Sequence, residues 1–486
     1  MSDILRHARP PASALAATAL LCGVLSTAHA APNGDGRVVP QPIPARFDFP
    51  LPAATIDAWV AASDTTAIRA RAWDLWAGLT SPSGQVHGGK ELPIWETWFG
   101  TDEVFPPLAP ASSASAASSA TAAARGGANR LLALSAEPRR GLHAFISPRQ
   151  FHHARAGLHA LDAQLGNAAD SVVSFNKFDP AAAFFLTSRH PGPGGQLFSY
   201  DIQASLQSLN SAWPAGTGGE ARATAEFPVD AVELKPVMRI VKAQGLTPQP
   251  LWQGPAASTN PANPTPGTWT NCVLIDPAGK GLLRPATPQE IAKAAAAGAG
   301  TACKSFSYGP LSLFYSFKLD AAEAAAFRQA QGGGASAQAG DFAVLVAMHV
   351  NTKEIPFWTW QTFWWQPGAD TPNGFPGSKA GQPAGLPSPW NNYASCANYA
   401  QTTAPGGSTM QVCFNPYLET SPGIPAGVTS NCMSCHGTAR VMADTNAESY
   451  PENYKAPISF FSDPAYFNAS STHTDFSWAI PGAQLP

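Results

Sequence analysis

The spacing of hydrophobic and polar positions changes period along this chain. From Asp64 to Leu79 the apolar residues Ile68, Ala72, Leu75, Trp76 and Leu79 fall on one helical face, with Gly78 near the end, so a helix is expected. Ser147-Pro148 opens a second helical pattern, with Phe151, Leu158, Leu161 and Leu165 as its stripe and Gly166 as its stop. The middle of the chain reads differently. Val229–Val241, Leu311–Phe317, Phe342–Val350 and Phe357–Trp365 are β-branched or aromatic and are bounded by Pro or Gly, so strands are expected there. Two short helices should interrupt them, each opened by a capping box: Thr287-Pro288-Gln289-Glu290 and Asp320-Ala321-Ala322-Glu323.

Between these elements lie a Pro-rich stretch at 31–55, a low-complexity segment at 109–129 that reads as a surface insert, and Gly/Pro loops at 254–268 and 366–389. The pattern predicts an α+β fold: a β-rich body with peripheral helices and much irregular chain, followed by a small C-terminal segment. The expected division is 1–30 as a leader, 31–389 as the body and 390–486 as the C-terminal region. Composition sharpens this. Gly 42 and Pro 47 imply many turns, while Trp 14 and Phe 25 must supply much of the buried area. A formal net charge of −3 leaves no basic footprint for nucleic acid.

The leader is read from its charge and its apolar run. Arg6 and Arg9 precede an almost unbroken apolar stretch from Ala14 to Leu25, and Ala28-His29-Ala30 supplies the small residues of a cleavage site. Cleavage before Ala31 and a periplasmic mature chain are expected. A lipid anchor on Cys22 is the competing reading, but Leu21 stands where a small residue is wanted. No later segment offers the roughly 18 apolar residues of a membrane span, so no transmembrane anchor is expected.

Cys272, Cys303, Cys396, Cys413, Cys432 and Cys435 follow the leader. The last two belong to Cys432-Met433-Ser434-Cys435-His436. On one helical turn, cysteines three apart present both sulfurs to the same side, where they can add to the two vinyl groups of one porphyrin edge. A histidine directly after the second cysteine reaches the iron. The other four cysteines allow three pairings. The local one, Cys272–Cys303 with Cys396–Cys413, is expected in an oxidising compartment, with four buried thiols as the alternative. A zinc site is disfavoured because adjacent Cys435 and His436 suit one tetrahedral ion poorly and no second CxxC completes a set. A thioredoxin-like motif would want a preceding strand, where Ser421-Pro422-Gly423-Ile424-Pro425 stands instead.

The run Asn431-Cys432-Met433-Ser434-Cys435-His436-Gly437 resembles the attachment motif of the c-type cytochromes. That resemblance covers a few residues of the chain. It implies one covalently attached haem c, thioether bonds at Cys432 and Cys435, and His436 as proximal ligand and metal-binding residue. It further implies dependence on the cytochrome c maturation machinery and a redox partner protein. The expected function is periplasmic electron transfer. The alternatives are a haem-dependent oxidoreductase of peroxidase or oxygenase type with an open iron site, or a small-molecule-binding protein with accessory haem. In small cytochromes the sixth ligand is a downstream methionine. Here the only later one, Met442, is expected on the proximal helix and so on the wrong side. Candidates are therefore His473, with Asp475 orienting it, or Met348 or His349 from the β body. Met238, His152 and Met410 are further options, and an open position is another. The alternating aromatics of Phe357–Trp365 read first as buried core and second as a stacking platform or electron path.

Overall fold

The computed structural model describes residues 38–105, 143, 172–213, 222–296, 302–331, 337–370, 375, 377–399, 411–420, 427–429, 431–437, 439–442 and 471–482. The leader with Cys22, the insert at 109–129, the helical pattern from Ser147 to Gly166 with His152, and Met410 lie outside the described residues.

The fold is α+β with much irregular chain. Its centre is an antiparallel sheet of eight strands. Four of them carry the argument: β1 (Val232–Val241), β2 (Phe342–Thr352), β3 (Thr359–Trp365) and β4 (Tyr393–Tyr399). They lie side by side in the order β4-β3-β2-β1, and short strands at Lys177–Phe178 and Phe99–Gly100 continue beyond β1. The edge strand β4 thus joins the sheet from within the segment after residue 389.

Both faces of this sheet are covered, and the sequence shows why. Every residue of β3 and of β4 is buried, so polar and apolar positions do not alternate cleanly. On one face lies α1 (Thr65–Leu79), started by Asp64, whose carboxylate accepts from Thr66 N and Ala67 N at 3.1 and 3.0 Å. Its Trp76 is fully buried and stacks on Phe363 at 4.3 Å. The irregular C-terminal chain covers the other face.

All four strand expectations shift at their ends, Phe342–Val350 running on to Thr352 and Phe357–Trp365 beginning only at Thr359. The first of the four begins only at Val232, because Pro228 to Ala231 forms a turn and Val229 is exposed. Residues 311–317 split into a 3-10 turn, Leu311–Leu313, and a short strand, Ser316–Lys318. There the Leu313 carbonyl accepts from Trp365 Nε1 and Asn392 Nδ2 instead of from a ladder. Both capping boxes form, at Thr287/Glu290 and Asp320/Glu323. Both expected disulfides, Cys272–Cys303 and Cys396–Cys413, are present. Among the described residues no helix is long and apolar enough to cross a membrane.

Candidate functional site

Cys432, Cys435 and His436 share one short helix, α4 (Cys432–His436), with Met433 buried beneath it. The helix stops at once. Gly437 N donates to Met433 O at 2.9 Å and Ala439 N to His436 O at 3.1 Å, turning the chain into β5 (Arg440–Met442). Met442 therefore lies on a strand and not on the proximal helix as expected, because Gly437 ends the helix first. Strand β5 pairs with β6 (Ser471–His473), opposing Arg440 to His473.

The chain after β6 clamps α4. Thr474 N donates to Ala439 O at 3.1 Å, and Trp478 Nε1 donates to Cys435 O at 3.2 Å. Between them Asp475 and Phe476 both adopt positive φ, 48° and 66°, which is uncommon for residues with a side chain. That turn brings the Phe476 carbonyl to 2.8 Å from Nδ1 of His436. A carbonyl only accepts, so Nδ1 carries the proton and Nε2 keeps its lone pair. Burial lowers the His436 pKa to about 3, so the imidazole is neutral at ordinary pH. Cys432 and Cys435 are thiols, unlike the four disulfide-bonded cysteines. Burial pushes the Cys435 pKa up to about 12 and raises that of Cys432 also.

The floor under α4 is one face of the central sheet. Directly opposed residues in antiparallel strands share a face. One row runs Lys235, His349, Thr362, Cys396; the next runs Glu233, Asn351, Trp360, Asn398. The His436 ring packs on Trp360 at 4.2 Å, and Ser477 Oγ donates to Glu233 at 2.8 Å. Glu419 accepts from His349 Nε2 at 3.1 Å, and Asn415 Nδ2 donates to Thr362 Oγ1 at 2.7 Å. Burial drags the Lys235 pKa down to about 7 and lifts that of Glu233 to about 8. Asn398 is fully buried with neither carboxamide atom hydrogen-bonded.

This arrangement separates the sixth-ligand candidates. Met348 is opposed to Phe363 and Pro236, on the face that meets Trp76 of α1. Strand alternation thus turns it away from His436 and turns His349 towards it. Met238, fully buried, belongs to the same core cluster as Met348. His473 is a buried strand residue and not a loop residue; its ring meets the Phe476 ring edge-on at 4.8 Å. That ring contact is thus with the Phe476 side chain, and the His473 backbone pairs with Arg440 of β5. Asp475 does not orient His473. Its Oδ1 accepts from Lys353 Nζ at 2.7 Å and its Oδ2 from Phe227 N at 2.8 Å.

Phe476, Trp478, Ser477 and Glu233 belong to the site and escaped the sequence reading, whereas Trp360 stood in the aromatic run already singled out. Among the described residues no group of three or more His, Cys, Asp or Glu is arranged to hold a metal ion by itself. No protein-family model, no curated protein and no solved structure matches the chain.

Proposed function

We propose that the chain binds one haem c covalently, through thioether bonds at Cys432 and Cys435 with His436 as axial ligand, and serves electron transfer in the periplasm. The observation that carries this reading is the Nδ1–H of His436 held on the Phe476 carbonyl at 2.8 Å. A metal-bound histidine commonly donates its other ring proton to such an acceptor, which fixes ring and tautomer. The donor set fits: a neutral imidazole, two thiols on one helical turn, and in Asn398 a buried carboxamide that lacks any partner from the chain. Bound there, the haem supplies one-electron chemistry. The chain's part is to orient His436 through Phe476, pack Trp360 against it, and keep water from that side. The maturation machinery and a redox partner belong to the same proposal.

One observation favours a second reading, a haem-dependent oxidoreductase: Lys235 and His349 put exchangeable protons on the sheet face below α4, and the Glu419 carboxylate accepts from His349. A visible spectrum separates the two, low-spin six-coordinate for transfer and high-spin five-coordinate for catalysis. The test of the primary reading is simpler. Denatured, exported protein should retain haem peroxidase stain on a gel, and Cys432→Ala with Cys435→Ala should lose it. Colour that acidified organic solvent extracts from the unaltered chain would overturn the covalent assignment.

A further inference from the structure

A second candidate site is lined by no described residue of α4, though Thr224 N in its back wall donates to the His473 carbonyl of β6. The helix α3 is reached through α2 (Pro180–Thr187), a hairpin of Arg189–Pro191 with Leu197–Ser199, and then α3 itself (Gln203–Ala212). Between the hairpin and α3 is an open cleft of about 1290 Å³, backed by Trp213 and the segment 223–225. That exceeds the several hundred Å³ typical of small-molecule pockets and suits an elongated ligand.

The lining defines the chemistry. None of the described lining residues ionises. The nearby Arg222 is turned inward, donating to the Ser471 carbonyl and to Asn210. The polar groups are the amides of Gln196 and Gln207 and the hydroxyls of Ser208, Ser211 and Thr224. Ser208 and Ser211 spend their protons on the helix carbonyls of Ala204 and Gln207, at 2.8 and 2.9 Å. They therefore face the cleft as acceptors, for a ligand rich in O–H donors. Trp213 adds a flat apolar ring. Its Nε1 and the Thr224 hydroxyl are buried without a hydrogen bond, a costly state at the back wall of the cleft. Arg222 lies 6.0 Å from the centre of the Trp213 ring and is committed to Ser471 and Asn210. Among the described residues the cleft surface itself thus offers a charged ligand no free counter-charge, and a lipid chain would find too many amides and hydroxyls.

We propose that this cleft binds an uncharged oligosaccharide, stacked on Trp213 and hydrogen-bonded by Gln207, Ser208 and Ser211. The proposal does not rest on the haem reading. The test is calorimetric titration of the mature, intact protein with hexasaccharides of glucose, xylose and N-acetylglucosamine. At least one should bind, and Trp213→Ala should weaken it tenfold or more. Gln207→Ala with Ser211→Ala alters only exposed positions of α3, so the fold survives, and it should weaken binding by a similar factor. Absence of heat with all three sugars at millimolar concentration would overturn the assignment. So would an affinity indifferent to both variants, or binding of an uncharged extended peptide in place of every sugar.

Discussion

Phe476 offers its carbonyl to Nδ1 of His436 at 2.8 Å from a backbone that residues other than glycine rarely adopt. Such a turn persists only where its surroundings over-determine it. The means are visible: Asp475 is held by Lys353 Nζ and Phe227 N, and Thr474 Oγ1 donates to Ser477 O at 2.7 Å. Lys353 and Asp475 are both buried. Removing Asp475 leaves the buried Lys353 ammonium only the Pro356 carbonyl at 2.9 Å and the exposed Glu226 at 3.7 Å, so Asp475→Ala should cost up to about 3–5 kcal/mol in urea unfolding. Lys353→Met combined with Asp475→Asn should recover most of that loss. A double variant as unstable as Asp475→Ala would show that the turn, and not the ion pair, sets the cost.

The second prediction concerns the far side of His436. His349 shares the sheet face with Trp360, on which His436 packs, and Glu419 holds its Nε2 at 3.1 Å. His473 instead sets its ring edge-on against the Phe476 ring at 4.8 Å. If the haem-bearing protein is low-spin, His349→Ala should convert it to high-spin while His473→Ala leaves the spectrum unchanged. The reverse pattern would relocate the ligand to β6.

The third prediction tests the layer that supports the sheet. Trp76 is fully buried between Phe363 and Tyr393, and its Nε1 donates to Trp390 O at 3.2 Å. Trp76→Ala should cost about 3–5 kcal/mol by chemical denaturation. Phe184→Ser, at a side chain that is 53% exposed, should change stability by about 0.5 kcal/mol or less. Similar losses at both positions would mean that burial here is misjudged.

These cases mark what the chain discloses by itself. The helix of Trp76 was legible because its apolar stripe has one period and Asp64 caps it. The strands were legible as runs of β-branched and aromatic residues. Their ends were not, because Phe357 and Trp358 continue the aromatic run into a turn where Trp358 takes φ 60°. Cys432, Cys435 and His436 stood out because their chemistry is written in adjacent residues. Phe476 could not, since a backbone carbonyl has no sequence signature and lies 40 positions away. The choice between Met348 and His349 likewise needed the register of β2 against β3.

The last prediction is a pH dependence. Asp179 caps α2, with Oδ1 accepting from Ala182 N at 2.8 Å and from Val232 N at 3.0 Å. Burial, with a smaller contribution from Asp230, lifts its pKa from 3.8 to about 7. Between those values the folded carboxyl keeps a proton that the unfolded chain has released. The folded state then binds more protons, so stability falls as pH rises through that window, by at most about 1.4 kcal/mol per unit. Above about 7 both forms are ionised and the loss levels off. Asp179→Asn keeps an oxygen for both backbone donors and removes the titration. Urea midpoints of the two proteins, taken from about pH 4 to about pH 8, should therefore move relative to one another. The advantage of the unaltered protein should shrink up to about 7 and then hold constant. Parallel curves would mean that Asp179 ionises at its ordinary value and that the buried cap carries a full charge throughout.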